Sequence, residues 1–94
     1  MLMVPIHPGR VLAREMETRG LSSLALALKL RVPANRISEI VNGKRGITPE
    51  TALRLGRYFR TGSEFWGRLQ SNYDLAKAER ELGDTIRREV EEAA

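Results

Sequence analysis

Two helix-forming segments near the middle of this chain are separated by only about three residues, a join that helix-turn-helix units use. Ser22 carries the hydroxyl of a good N-cap for the first segment, Ser23 to Leu30. Pro33 suits the first turn of the second, which runs to Val41 and meets a left-handed stop in Asn42-Gly43. Leu24, Leu26, Ala27, Leu28 and Leu30 are so dense in the first segment that it is expected to be largely buried.

The same kind of punctuation divides the rest of the sequence. Pro8 as first helical residue, with Val11, Leu12, Glu15 and Met16 after it and Gly20 at the end, predicts a first helix of about three turns with Leu12 and Met16 on one face. Thr48-Pro49-Glu50 combines a cap, an N1 proline and an acidic residue at the positive end of the helix dipole. The fourth helix that follows has Ala52, Leu55, Gly56 and Phe59 as its core stripe. Thr61-Gly62-Ser63-Glu64 has capping-box spacing and opens a longer fifth helix, expected to reach about Leu82 before Gly83 breaks the pattern. Asp84 to Ala94 is strongly charged, with Ile86 and Val90 its large apolar residues, and is expected to form a short helix or a frayed tail. With 94 residues there is enough chain for one core and not for two. The reading is all-α: a five-helix domain over 1–83 and a charged C-terminal tail over 84–94.

Composition narrows the chemistry. No apolar run approaches the roughly 20 residues that cross a bilayer. Met1 to Val4 is apolar but lacks the basic lead and small-residue cleavage site of a signal peptide, so a cytoplasmic location is expected. The absence of cysteine removes disulfides, thiolate catalysis and cysteine-ligated zinc. The lone His7, just before Pro8-Gly9 at a helix start, takes a capping or surface role, because one histidine builds no metal site. Glu15 and Glu17, Glu79 and Glu81, and Glu91-Glu92 read as solvated helix charges, and no phosphate-cradling glycine loop follows a strand. No catalytic residue, metal or cofactor is expected.

Charge is unevenly spread behind a net value of +4. Residues 1–60 carry 11 Lys and Arg against 4 Asp and Glu, whereas residues 61–94 carry 5 against 8. The basic part is where a polyanion docks, since basic surfaces attract phosphate backbones. On a wheel of about 100° per residue, the third helix gathers Ile37, Ile40 and Val41 on one side. Ala34, Asn35, Ser38 and Asn42 fall on the other, with Glu39 at their edge. Short polar side chains let a helix approach base edges in a major groove: Asn pairs with adenine and Glu accepts from cytosine. A solvated helix face has the same composition, and position decides between them. This helix follows an apolar helix across a tight turn and leads into Asn42-Gly43-Lys44-Arg45-Gly46, a basic loop suited to clamping phosphate. Together these parts form a helix-turn-helix signature.

The expected base readers are Ala34, Asn35, Ser38 and Glu39. The expected phosphate contacts are Ser22, Ser23, Arg31, Arg36, Asn42, Lys44 and Arg45, with Arg36 pointing to the flank of the reading face. The fifth helix has two apolar faces. Phe65, Trp66, Leu69, Tyr73 and Ala76 form one, and Leu75, Ala78 and Leu82 lie opposite. The first is expected in the domain core. The second is expected at a dimer interface, the alternative being a helix sunk in its own core.

These residues carry a family resemblance. Ile6-His7-Pro8-Gly9, Leu21-Ser22 through Leu30, Val32-Pro33 through Ser38, Asn42 to Thr48 and Glu64-Phe65-Trp66 resemble the HigA family of antitoxins over about Pro5 to Leu82. The middle segment alone is similar to the broader Cro/phage-repressor (XRE) class. The resemblance implies a lambda-repressor-like five-helix DNA-binding fold with the helix-turn-helix at helices two and three, and a homodimer on double-stranded DNA at a palindromic operator. It also implies a partner toxin, a RelE/HigB-like ribosome-dependent mRNA endonuclease, that the antitoxin binds and silences while repressing their shared operon. The chain departs from the class at two positions. Ser23 stands where glutamine often bonds DNA, and is short enough to leave only phosphate within reach. Arg31 stands where the turn often has a left-handed glycine, a choice that costs on the order of 1 kcal/mol. A repressor with no toxin partner and a pure protein-interaction module are the rival readings.

Overall fold

A computed structural model describes residues 4–94; Met1 to Met3, most of the apolar start, lie outside the described residues. Five helices form the fold, with no strand among the described residues: α1 (Pro8–Thr18), α2 (Ser23–Leu30), α3 (Ala34–Val41), α4 (Pro49–Phe59) and α5 (Ser63–Glu89).

Local chemistry sets most of the helix starts. The His7 ring accepts from the Gly9 N–H at 2.9 Å, the Ser22 hydroxyl from Ala25 at 3.1 Å and the Thr48 hydroxyl from Thr51 at 3.3 Å. Each satisfies an amide that the first helical turn leaves without a partner. The α2–α3 turn is made by Arg31 in the left-handed region, φ 59 and ψ 47. The Val32 N–H then returns to the Ala27 carbonyl at 3.1 Å and closes the end of α2.

The core joins all five helices through Leu12 and Met16, Leu26, Ala27 and Leu30, Ile37 and Ile40, Ala52, Leu55 and Phe59, and Trp66. Gly9 explains how α1 comes so near α3: a methyl group on it would overlap the Ile40 carbonyl. Arg54 donates to the Leu30 carbonyl at 3.0 Å and ties α4 to the end of α2.

Three expectations are corrected. First, α2 is not largely buried: Leu24 is 58% and Leu28 71% exposed, because α3 and α4 cover only the side that carries Leu26, Ala27 and Leu30. Second, Thr61 and Glu64 form no capping box. The Thr61 hydroxyl accepts from the buried Trp66 indole at 2.9 Å and donates to the Gly62 carbonyl, so α5 starts without a side-chain cap. Third, α5 runs through Gly83 to Glu89, and the expected boundary at 83/84 falls inside it. One interior glycine costs about 1 kcal/mol relative to alanine, too little to stop a helix flanked by good helix formers. Glu79 and Arg87 also pair across Gly83 at 2.6 Å. The helix ends at Val90 instead, and residues 90–94 lie beyond it.

Candidate nucleic-acid interface

The third helix, α3, is pinned from behind. Ile37 and Ile40 are fully buried and Val41 half-buried, which turns Ala34, Asn35 and Asn42 outward. Ser38 and Glu39 are half-buried on the same side, and the Ser38 hydroxyl donates to the Asn35 carbonyl at 3.2 Å. The polar face expected from the wheel is therefore an outer face of the folded domain.

The basic loop after α3 has a defined shape. Asn42 keeps a near-helical φ of −84, and Gly43 takes the left-handed position, φ 76, where a side chain is strained. The Gly43 and Lys44 amides bond back to Ile40 and Glu39 carbonyls at 3.0 and 2.8 Å. At its far end the Ile47 N–H donates to the Gln70 side-chain carbonyl at 2.7 Å, and Gln70 in turn donates to Asp74 at 2.9 Å. His7 braces the loop from α1, its ring edge-on to Tyr73 at 4.9 Å and hydrogen-bonded to the Arg45 backbone. Burial pushes the His7 imidazole below its ordinary value, and the Asp74 charge and that backbone bond partly offset the shift.

The expected phosphate contacts divide into two groups. Ser22 is exposed and caps α2, Ser23 is half-buried in the first turn, and Arg31 is exposed on the turn. Arg31 and Lys44 enter no ion pair among the described residues. Arg36 is half-buried and drawn toward α4, 3.9 Å from Glu50. Arg45 leans back onto α3, with Nε and Nη2 at 2.8 and 2.7 Å from Glu39 Oε1. An expected base reader and an expected phosphate contact thus hold each other. Sequence reading missed that pair, and it missed Gln70, a lone amide on a long helix that meets the loop 23 residues away.

On α5, Trp66 and Ala76 are buried and Leu69 and Tyr73 half-buried, whereas Phe65 lies at the edge, packed against the Trp66 ring. The opposite stripe is uncovered in the single chain: Leu75 is 61% and Leu82 51% exposed, and Ala78 is exposed between them. Among the described residues no helix is long and apolar enough to cross a membrane.

Comparison with known proteins places this geometry. A family model described as helix-turn-helix matches residues 12–66. Virulence-associated protein I of Dichelobacter nodosus is 49% identical over 80 residues, 84% of this chain and 74% of that protein. The solved structure of an addiction module antidote protein of a HigA family from Coxiella burnetii superposes with a TM-score of 0.93 at 44% identity, covering 97% of this chain and 100% of that one. Pseudomonas aeruginosa antitoxin HigA, solved with the higBA promoter, gives a TM-score of 0.93 at 43% identity over the same shares. Similarity of this extent, together with the observed helix-turn-helix at α2 and α3, leads to one assignment: the chain belongs to the helix-turn-helix proteins of the Cro/phage-repressor class and, within them, to the HigA family.

Proposed function

We propose that this protein is an antitoxin that, as a homodimer, binds a palindromic operator to repress its own operon and also binds and neutralises a RelE/HigB-like mRNA endonuclease. The observation that carries the DNA half is the juxtaposition of an uncovered, short-side-chain face on α3 with a cationic loop held by Gln70. Ala34, Asn35, Ser38 and Glu39 are the base readers in this reading. Ser22, Ser23, Arg31, Arg36, Asn42, Lys44 and Arg45 lie around them as phosphate contacts. The solved relatives that carry a promoter or operator DNA support it.

Leu75, Ala78 and Leu82 supply the dimer contact, which matches the two-fold symmetry of a palindrome. Toxin binding draws its support from the family, and the acidic residues 61–94 complement the charge of a basic nuclease. The test is a salt-dependent mobility shift on the DNA upstream of the reading frame, with co-expression of the adjacent frame to read rescue of growth. A relative 37% identical over 79 residues, the uncharacterized HTH-type transcriptional regulator YbaQ of Escherichia coli, favours a second reading, a repressor without a toxin. A neighbouring product that neither binds this chain nor arrests growth would decide for that reading.

A further inference from the structure

A carboxylate on the groove face of a DNA-reading helix is repelled by the phosphates it approaches. Glu39 is in that position, yet it is not bare. Arg45 places Nε and Nη2 at 2.8 and 2.7 Å on Oε1, and no donor among the described residues bonds to Oε2. The arrangement is set by backbone rather than by chance contact. The Lys44 N–H closes onto the Glu39 carbonyl at 2.8 Å, Gly43 makes the left-handed turn, and Gln70 holds the loop at Ile47. Both side chains are partly exposed, so the pair adds little to stability, and its effect belongs to binding.

We infer that Arg45 is a positioning residue for base recognition, and that the Glu39–Arg45 pair works as one unit. Oε1 stays on the guanidinium, which cancels the charge of the carboxylate. Oε2 accepts from an exocyclic amino group of the kind cytosine presents in the major groove. The outward N–H groups of Arg45 remain for a phosphate, which locks the unit in register. Lys44, adjacent in sequence and in no ion pair among the described residues, acts as a phosphate cation alone. The inference rests on the proposed operator binding, and it gives two neighbouring cations different tasks where sequence reading gave them the same one.

The experiment is binding-site selection followed by affinity measurement on single base-pair variants, using the full chain and the variants Lys44→Ala, Arg45→Ala, Arg45→Lys, Glu39→Ala and the double variant Glu39→Ala/Arg45→Ala. Circular dichroism confirms that each is folded. Lys44→Ala is expected to weaken every sequence alike. Arg45→Ala and Glu39→Ala are expected to relax discrimination at the same base pair, by about 5- to 150-fold, with the double variant no more relaxed than either single one. Arg45→Lys, which restores a charge, is expected to recover part of it. The inference is overturned if Arg45→Ala keeps wild-type discrimination at every position, or if the two single effects add. A wild-type chain that selects no operator overturns it together with the proposed function.

Discussion

The side-chain carbonyl of Gln70, on α5, accepts a 2.7 Å hydrogen bond from the backbone N–H of Ile47 at the end of the basic loop. Truncation by Gln70→Ala leaves that part-buried N–H without its partner, at a cost of roughly 1–3 kcal/mol. The loop that presents Lys44 and Arg45 loses its far anchor at the same time. Urea unfolding is expected to show the stability loss, and titration with operator DNA is expected to show weaker binding although residue 70 lies on α5 and not on the outer face of α3. Unchanged affinity in the variant would mean that the loop needs no anchor.

Arg31 opposes stability and binding. Arg31→Gly relieves the left-handed strain, a gain of roughly 1 kcal/mol at most once the greater freedom of unfolded glycine is counted. It also removes a cation from the turn. Thermal stability is expected to hold or rise while the log-affinity against log-salt slope flattens by about 1. A variant that is more stable and keeps the full slope would take Arg31 out of the phosphate contacts.

The His7 ring titrates below its ordinary value of 6.5, because burial disfavours its charged form. The folded state therefore holds fewer protons than the unfolded chain in this range. The contribution to stability is complete above 6.5 and is lost as pH falls through the lowered value. His7→Asn keeps a capping oxygen for the Gly9 amide and does not titrate. Denaturation midpoints followed downward from neutral pH are expected to fall more steeply for the wild type than for the variant. Parallel curves would assign the pH dependence to other groups.

Leu75, Ala78 and Leu82 are uncovered in the single chain and lie on one side of α5. The double variant Leu75→Glu, Leu82→Glu is expected to sediment as a monomer with helicity kept, and to bind a palindromic operator far more weakly than the wild-type dimer, because each chain then holds one half-site alone. Persistence of a dimer would send its interface elsewhere.

Much of the fold was legible because the signals are local. The caps at Ser22, Thr48 and His7 each act within two or three residues, and the left-handed Arg31 was expected from the family resemblance, which often has glycine at that turn position. The misreadings needed a third partner. Leucine density in α2 shows apolarity but not how many neighbours arrive, and α3 and α4 leave Leu24 and Leu28 outside. The Thr61 hydroxyl is taken by an indole that the core puts in reach. Which face of α3 is outer was readable from its wheel. The Glu39–Arg45 pair was not, because it forms only after the chain turns at Gly43.

The seating of Gly9 against the Ile40 carbonyl bears on how a family of such proteins diversifies. With α1 seated at the Ile40 carbonyl and Ile37 and Ile40 sealed in the core, α3 is held to the domain by its inner face. Under the proposed operator binding, a new target is reached by exchanging side chains at positions such as Ala34 and Asn35, which touch little of the interior. Those exchanges leave the scaffold's stability almost untouched, since exposed substitutions usually stay within about 0.5 kcal/mol. The outer face of α3 can therefore be rewritten without loss of the fold, whereas a side chain at residue 9 would meet the Ile40 carbonyl.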